Sequence, residues 1–268
     1  MRSNQPARAA LLRASLLVTL LAAAGVCADT GSDWLAKVPP PPKDLDQAKA
    51  QCGEGVSYDA QPWDKFEKGR SAAADKLQKA MQAKMQDPNY QNEMMNQAMD
   101  MSDPGAAMAV QQYAQYQASL GSQAPGVTAD GFFTPPYNDA KDAVDGIVKQ
   151  QTAKLKRCPT QNSEAGPYPI PSCEKPIDAA AEKAKADAVN TYLATVNKAW
   201  PQFIKGTQDY FRKLGTVPQG VDPNNYQVKL QHDNIPGMEL GSVKDVAKAA
   251  EDACNNANNL KSELPNLD

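Results

Sequence analysis

The chain has 268 residues, with 28 basic and 31 acidic side chains, a single histidine and a formal net charge of −3. This balance excludes a nucleic-acid binder that relies on bulk positive charge, and one histidine excludes a metal site built from several histidines. Hydrophobic residues make up 41% of the chain but aromatic residues only 6%, so the core is expected to be light in large side chains.

Residues 1–28 have the layout of a secretory signal peptide. Arginines supply a positive leader, an apolar run covers 14–24, and small residues precede a cleavage site after Ala28. The apolar run is too short for a lasting membrane anchor, and no later stretch approaches the ~20 apolar residues of a membrane helix. Cleavage would remove three arginines and no acid, so the net charge of −3 would become −6.

The position of Cys27 raises the alternative of a lipoprotein. That reading requires Cys27 to become the mature N-terminus, and Val26 before it is bulkier than the residues such sites favour. We therefore expect a cleaved protein of the bacterial periplasm or a secreted protein. Residues 29–57, with four consecutive prolines at 39–42, are predicted to be a stiff linker, and 58–268 a helical domain.

From residue 63 onwards the apolar positions recur at a helical spacing. Prolines at 88 and 104 are predicted to begin new helices, and residues 121–136 and 159–173 are predicted loops. The longest helical pattern covers 177–203, where Pro201 predicts a kink or a break. Residues 215–241 are predicted to be a connection, with Ser242 capping the last helix.

No segment shows a convincing alternation of β-branched residues. We therefore predict an all-α fold, an irregular bundle of about five to seven helices with long proline-containing loops. Alanines on the predicted buried faces imply close helix approach and little apolar volume per contact.

Four cysteines remain after signal cleavage, and an even count in an exported chain predicts disulfides. A Cys158–Cys173 bond would close a helical hairpin, and Cys52–Cys254 would join the start of the folded region to its last helix. Sequence alone leaves the other pairings open.

Methionine is concentrated in residues 81–108, which contain seven of the nine methionines. Thioethers are soft ligands that select Cu(I), so Met94, Met95 and Met99 are candidate ligands of a periplasmic Cu(I) protein. Methionines equally fill gaps in a loosely shaped core or cover an adaptable binding surface, and of the tight repeats typical of copper sites only Met99-x-Met101 occurs.

The sequence 132–137 places Phe132, Phe133 and Tyr137 in a predicted loop beside prolines. Such aromatic residues can form the lip of a binding site or fold back over the end of the bundle. Catalytic patterns are weaker: His232 lies in a polar stretch predicted to be a surface loop, and Asp139, Asp142 and Asp145 are explained by a helix start.

These observations favour an exported, non-enzymatic helical protein of the bacterial envelope that binds a protein partner or a ligand, with no cofactor. Two alternatives remain. The first is a Cu(I)-binding protein that uses the methionines of 81–108, and the second is a carboxylate-dependent envelope hydrolase.

Overall fold

The computed structural model describes residues 31–99, 104–163, 166–223 and 226–265. Within these ranges the chain forms eight α-helices, a short 3-10 helix at Tyr58–Ala60 and one antiparallel hairpin, which confirms the all-α, disulfide-stapled fold. The helices are α1 (Gly31–Ala36), α2 (Leu45–Cys52), α3 (Pro62–Gln86), α4 (Pro88–Met99), α5 (Pro104–Gly121), α6 (Pro125–Leu155), α7 (Pro171–Leu214) and α8 (Tyr226–Ser262); the strands are β1 (Thr160–Ser163) and β2 (Gly166–Pro169). The predicted signal peptide 1–28, with Cys27 and Ala28, lies outside the described residues.

Five helices begin at a proline, where the missing amide donor costs no intrahelical hydrogen bond. These prolines are Pro62, Pro88, Pro104, Pro125 and Pro171. The helix starts predicted at Pro88 and Pro104 are therefore confirmed.

The core lies between the three long helices α6, α7 and α8, and α6 and α7 have the most extensive contact. Helix α7 contributes Leu193 and Val196, which are fully buried, and α8 contributes Ala250 and Ala257, also fully buried. The small side chains on α8 allow close approach of its neighbours. A smaller second cluster joins α5 to the start of α8; its buried members are Tyr113, Val221 and Val228.

The prediction of a loop at 121–136 is wrong over most of its length, because α6 begins at Pro125 and continues through Pro135 and Pro136. Both prolines remove a helical amide donor. The helix nevertheless persists, since Phe132 and Phe133 pack against the buried Phe203 of α7. Burial of these rings offsets the local cost of the prolines.

Helices α7 and α8 also continue through prolines, namely Pro201, where a kink or a break was predicted, and Pro236, which lies in the predicted connection 215–241. Helix α7 is continuous past Pro201, so no break occurs there, because buried residues beyond it hold the last turns in the core. Helix α8 begins at Tyr226, within the predicted connection 215–241, and passes through Pro236. Ser242 is therefore not a cap; it is buried within α8 and hydrogen-bonds the hydroxyl of Tyr210.

The predicted loop 159–173 contains the hairpin β1–β2. Thr160 pairs with Pro169 and Gln161 with Tyr168, and the amide of Gln161 donates a hydrogen bond to the Tyr168 hydroxyl at 2.6 Å. Strands of four residues are too short to show the alternation that a sequence pattern needs.

The structure joins Cys158 to Cys173 across this hairpin and Cys52 to Cys254 across the bundle. These are the pairs proposed from the sequence. The first bond spans 15 residues of sequence and the second 202. The second therefore closes nearly the whole described chain into one loop.

Residues 31–57, which were predicted to be part of a linker, are packed against the bundle. Leu35 and Ala48 are buried in the main core. Carbonyl oxygens of the four-proline stretch also accept hydrogen bonds from other helices. Trp63 donates its indole N–H to the carbonyl of Pro39 at 3.0 Å, and the Asn197 amide donates to the carbonyl of Pro42 at 2.7 Å. Prolines lack amide donors but keep their carbonyl acceptors, so this segment can be fastened by side chains from other helices.

The start of the segment 31–57 is hydrogen-bonded to the carboxylate of Glu239. The backbone N–H of Gly31 donates to Oε2 of Glu239 at 3.0 Å, and burial raises the pKa of Glu239 above its usual 4.5, with the Gly31 hydrogen bond acting in the opposite direction. As pH rises from 4.5 towards this raised pKa, the native state holds more protons than the unfolded state, so the free energy of unfolding falls.

Glu239→Gln is therefore expected to be more stable than the parent at pH 7, because the amide oxygen still accepts from Gly31 without a buried charge. The difference should disappear below pH 4.5, where the parent carboxyl is protonated in both states. Urea unfolding of the two proteins between pH 3 and pH 8 measures this, since the other titrating groups are shared. Equal stability throughout would show that burial of this carboxylate carries no cost.

Candidate ligand-binding sites

The segment 81–108, here called the methionine segment, contains the end of α3, all of α4 and the start of α5. Among the side chains described in this segment, none is buried. Met85, Met95 and Met108 are 54%, 61% and 64% exposed. These three methionines therefore do not fill gaps in the core.

Of the three candidate copper ligands, the structure describes the side chain of Met95 only. Met94, Met95 and Met99 all belong to α4, and Met95 and Met99 are one turn apart. Their use as Cu(I) ligands stays a prediction. Within the described ranges, no cluster of three histidine, cysteine or carboxylate side chains could hold a metal ion.

The methionine segment is fastened to α8 by one polar cluster. Lys84 lies 2.5 Å from Oδ2 of Asp233, and the Tyr90 hydroxyl donates to the same oxygen at 3.3 Å. The Lys84 ammonium also lies 4.9 Å from the centre of the Tyr90 ring. This cluster fixes the junction of α3 and α4 against the bundle, while Met95 and Met108 beyond it are exposed.

Charge is distributed unevenly along the chain. No lysine, arginine or histidine occurs between residues 85 and 140, although 28 basic residues are found in the whole sequence. The same stretch contains six acidic residues: Asp87, Glu93, Asp100, Asp103, Asp130 and Asp139. The methionine segment thus carries four acidic residues and one basic residue, Lys84, in a chain that is otherwise rich in lysine.

The aromatic residues Phe132, Phe133 and Tyr137 lie on α6 and are half-buried. Phe133 lies 5.1 Å from Phe203 and 6.1 Å from Trp200, measured between ring centres. These rings therefore fold back onto α7, and they do not form an isolated loop.

One side of this cluster opens into a pocket between α6, α7 and α8, here called the aromatic pocket, with a volume of about 150 Å³. Its lining includes Asp130, Phe133, Tyr137, Tyr192, Asp252 and Asn256. Burial raises the pKa of Tyr192 to about 12, so its hydroxyl is neutral at physiological pH, and Asn256 hydrogen-bonds this hydroxyl.

No protein-family model, curated protein or solved structure matches this chain. In the ranges that the structure describes, no helix is both long enough and apolar enough to cross a membrane.

The residues considered for catalysis are not brought together. Asp139, Asp142 and Asp145 lie in the middle of α6, which corrects their placement at a helix start, and Asp145 lies 3.2 Å from Lys141. Hydrogen bonding to Lys141 lowers the pKa of Asp145, so this carboxyl is not tuned as a general acid. His232 is half-buried inside α8 and not in a surface loop.

Among the described carboxylates only Asp64 is buried, and its Oδ2 lies 2.8 Å from Lys68. A pair of facing buried carboxylates, the arrangement expected of the hydrolase alternative, is therefore not formed by the described residues.

Phe133 and Tyr137 were predicted from the sequence as possible binding residues, but the other residues that line the aromatic pocket were not. Tyr192 falls within the predicted helical pattern 177–203 but was not a candidate binding residue, and neither were Asp252 and Asn256. They lie 55 or more residues beyond Tyr137, so only the packing of α7 and α8 against α6 reveals them. The sole local signal was the aromatic content of 132–137.

Proposed function

We propose that this chain is an exported, non-catalytic helical protein of the bacterial envelope that binds a protein partner through its methionine segment. The observation that supports this most is the exposure of Met85, Met95 and Met108, each more than half accessible. The three methionines fall within one stretch of 24 residues, and exposed apolar side chains gathered in one region are typical of interaction surfaces.

Export is supported by the predicted signal peptide and by the two disulfides, because such bonds persist in oxidising compartments. The disulfides also fit a scaffold role, since they join α2 to α8 and close the connection between α6 and α7, and α3, from which the methionine segment continues, packs against α8. Periplasmic or extracellular location remains part of the proposal, and cleavage after Ala28 is tested by N-terminal sequencing of the mature protein.

The charge of the segment indicates the partner's chemistry. The segment 81–108 contains four acidic side chains and one basic side chain, Lys84, which is paired with Asp233 of α8. A partner that complements this surface presents an apolar face flanked by lysine or arginine, for instance an amphipathic basic helix. Methionine suits such a role because its unbranched thioether adapts to different apolar shapes.

The test uses a synthetic amphipathic helix of leucine and lysine as the probe and its leucine–glutamate counterpart as the charge control. The full mature protein is expected to bind the basic peptide and not the acidic one. Replacing Met85, Met95 and Met108 together by glutamine should weaken binding about tenfold or more. Each change removes buried apolar area that contributes roughly 1 kcal/mol to the free energy of binding.

The matched control is Met238→Gln, which changes a methionine that is 36% exposed on α8, outside the segment. Calorimetric titration should give this variant the parent's affinity. If the basic peptide does not bind saturably, or if Met238→Gln weakens binding as much as the triple change, the methionine segment is not the docking surface.

Methionines of the same segment could instead bind Cu(I), and Met95, which belongs to both sets of methionines, is 61% exposed. Anaerobic titration with Cu(I) distinguishes the two uses. Tight uptake of one ion that is lost when Met94, Met95 and Met99 become leucine supports a copper protein. Weak uptake that survives these changes removes that alternative and leaves peptide binding unaffected.

A further inference from the structure

We propose that the aromatic pocket binds a small organic cation of the ammonium class, as a site separate from the methionine segment. Its volume of about 150 Å³ equals that of cavities known to hold a benzene-sized molecule, so a head group of several heavy atoms fits. It lies at the meeting point of three helices of the bundle, where ligand sites of helical proteins commonly form.

The walls of the pocket are aromatic on adjacent sides. Phe133 and Tyr137 are four residues apart on α6 and therefore share one face of that helix. The ring of Tyr137 lies 6.3 Å from that of Tyr192 on α7, with their planes at 69°. Two rings that meet nearly at right angles form the corner of a box, the arrangement that attracts cations through the negative faces of the rings.

The charge of the lining has the sign that a cation requires. Asp130 of α6 and Asp252 of α8 both line the pocket, whereas the described lining includes no lysine or arginine. The amide of Asn256 and the neutral hydroxyl of Tyr192 supply polar groups without positive charge. Aromatic faces and carboxylates in one small concave site favour an ammonium ion over an anion or a neutral molecule.

A lysine side chain already pairs with one of the carboxylates that line the pocket. Lys248 lies 2.6 Å from Oδ1 of Asp252, and both side chains are at least half exposed. Exposed pairs of this kind contribute little free energy, so a ligand that also contacts the rings can compete with Lys248 for the carboxylate. Removing Lys248 should therefore increase the affinity for an ammonium ligand.

The experiment titrates the full mature protein with choline and, in parallel, with 3,3-dimethylbutan-1-ol, which has the same shape without the charge. Saturable binding of choline, observed by nuclear magnetic resonance shifts of residues around the pocket, with at least tenfold weaker binding of the alcohol, is the expected result. Equal binding of both, or no saturable binding of choline, would overturn the proposal.

The variants separate the pocket from the rest of the surface. Tyr137→Leu should weaken choline binding about tenfold, Asp130→Asn a few-fold, and Lys248→Gln should strengthen it a few-fold. Asp139→Asn is the control, because Asp139 is an exposed carboxylate on the same helix that does not line the pocket. If Asp139→Asn weakens binding as much as Asp130→Asn, bulk negative charge and not the pocket binds the cation.

The ammonium ligand can be a free organic cation or the head group of a lipid. Co-sedimentation with phosphatidylcholine vesicles distinguishes these sources: vesicle binding that is lost in Tyr137→Leu indicates a head group, and choline binding without vesicle binding indicates a free cation. Neither result depends on the methionine segment, so the triple methionine variant should bind choline like the parent.

Discussion

Replacing Cys52 and Cys254 by alanine is expected to lower the free energy of unfolding by roughly 5 kcal/mol, whereas the same change at Cys158 and Cys173 should cost only about 3 kcal/mol. The bonds span 202 and 15 residues of sequence, respectively. Removing the longer crosslink releases more conformational entropy in the unfolded chain. Alanine is preferred to serine because Cys254 is fully buried, where an unpaired hydroxyl would add its own cost.

Urea unfolding of the parent and both double variants measures the difference. The shorter loop serves as the matched control, since the same chemistry is removed from a different chain separation. Equal losses for the two pairs would contradict the loop-length argument and point instead to native contacts, such as that between Asn258 and Cys52, at 3.1 Å.

Phe203→Ala is expected to destabilise the fold by about 3–5 kcal/mol, the range for deleting a large buried aromatic side chain. Phe203 is 1% exposed, and its ring lies 5.8 Å from Phe132, 5.1 Å from Phe133 and 5.7 Å from Trp200. Phe203 contacts both phenylalanine rings of α6. Its loss therefore leaves a cavity and also removes the contacts that support α6 around Pro135 and Pro136.

Thermal and urea unfolding of Phe203→Ala should show this loss, with reduced helicity at moderate denaturant. Tyr58→Ala is the control, because Tyr58 is 57% exposed and its truncation should change stability by less than about 0.5 kcal/mol. A Phe203→Ala protein as stable as the control would mean that α6 does not depend on this cluster.

The all-α class was predictable because helical spacing of apolar residues is a local property. The starts at Pro88 and Pro104 were predictable for the same reason, since a proline at the first position of a helix depends only on its own missing donor. The pairing of Cys158 with Cys173 followed from their positions on either side of one short segment.

Local reasoning was wrong where long-range packing outweighed a local cost. Pro135, Pro136 and Pro236 lie inside helices because the neighbouring turns are held in the bundle. The segment 31–57 was expected to be a linker, and the donors that fasten it, Trp63 and Asn197, are remote from Pro39 and Pro42 in sequence. No window around the prolines contains that information.

The candidate sites divide in the same way. The concentration of methionines in 81–108 is visible in the sequence, but their exposure is not, because a helical stripe of methionines is equally compatible with a core. The aromatic pocket needs three helices to be placed together before Tyr137, Tyr192 and Asp252 become neighbours.

The order of the residues was enough to establish that the chain is helical, that four of its five cysteines follow residue 28 and where its methionines are concentrated, because each of these depends on composition or on neighbours along the chain. Only the tertiary structure decided which prolines a helix tolerates, which apolar side chains stay in solvent and which carboxylates share a pocket with aromatic rings. These features depend on contacts between residues far apart in sequence, whose free energy exceeds the local preferences.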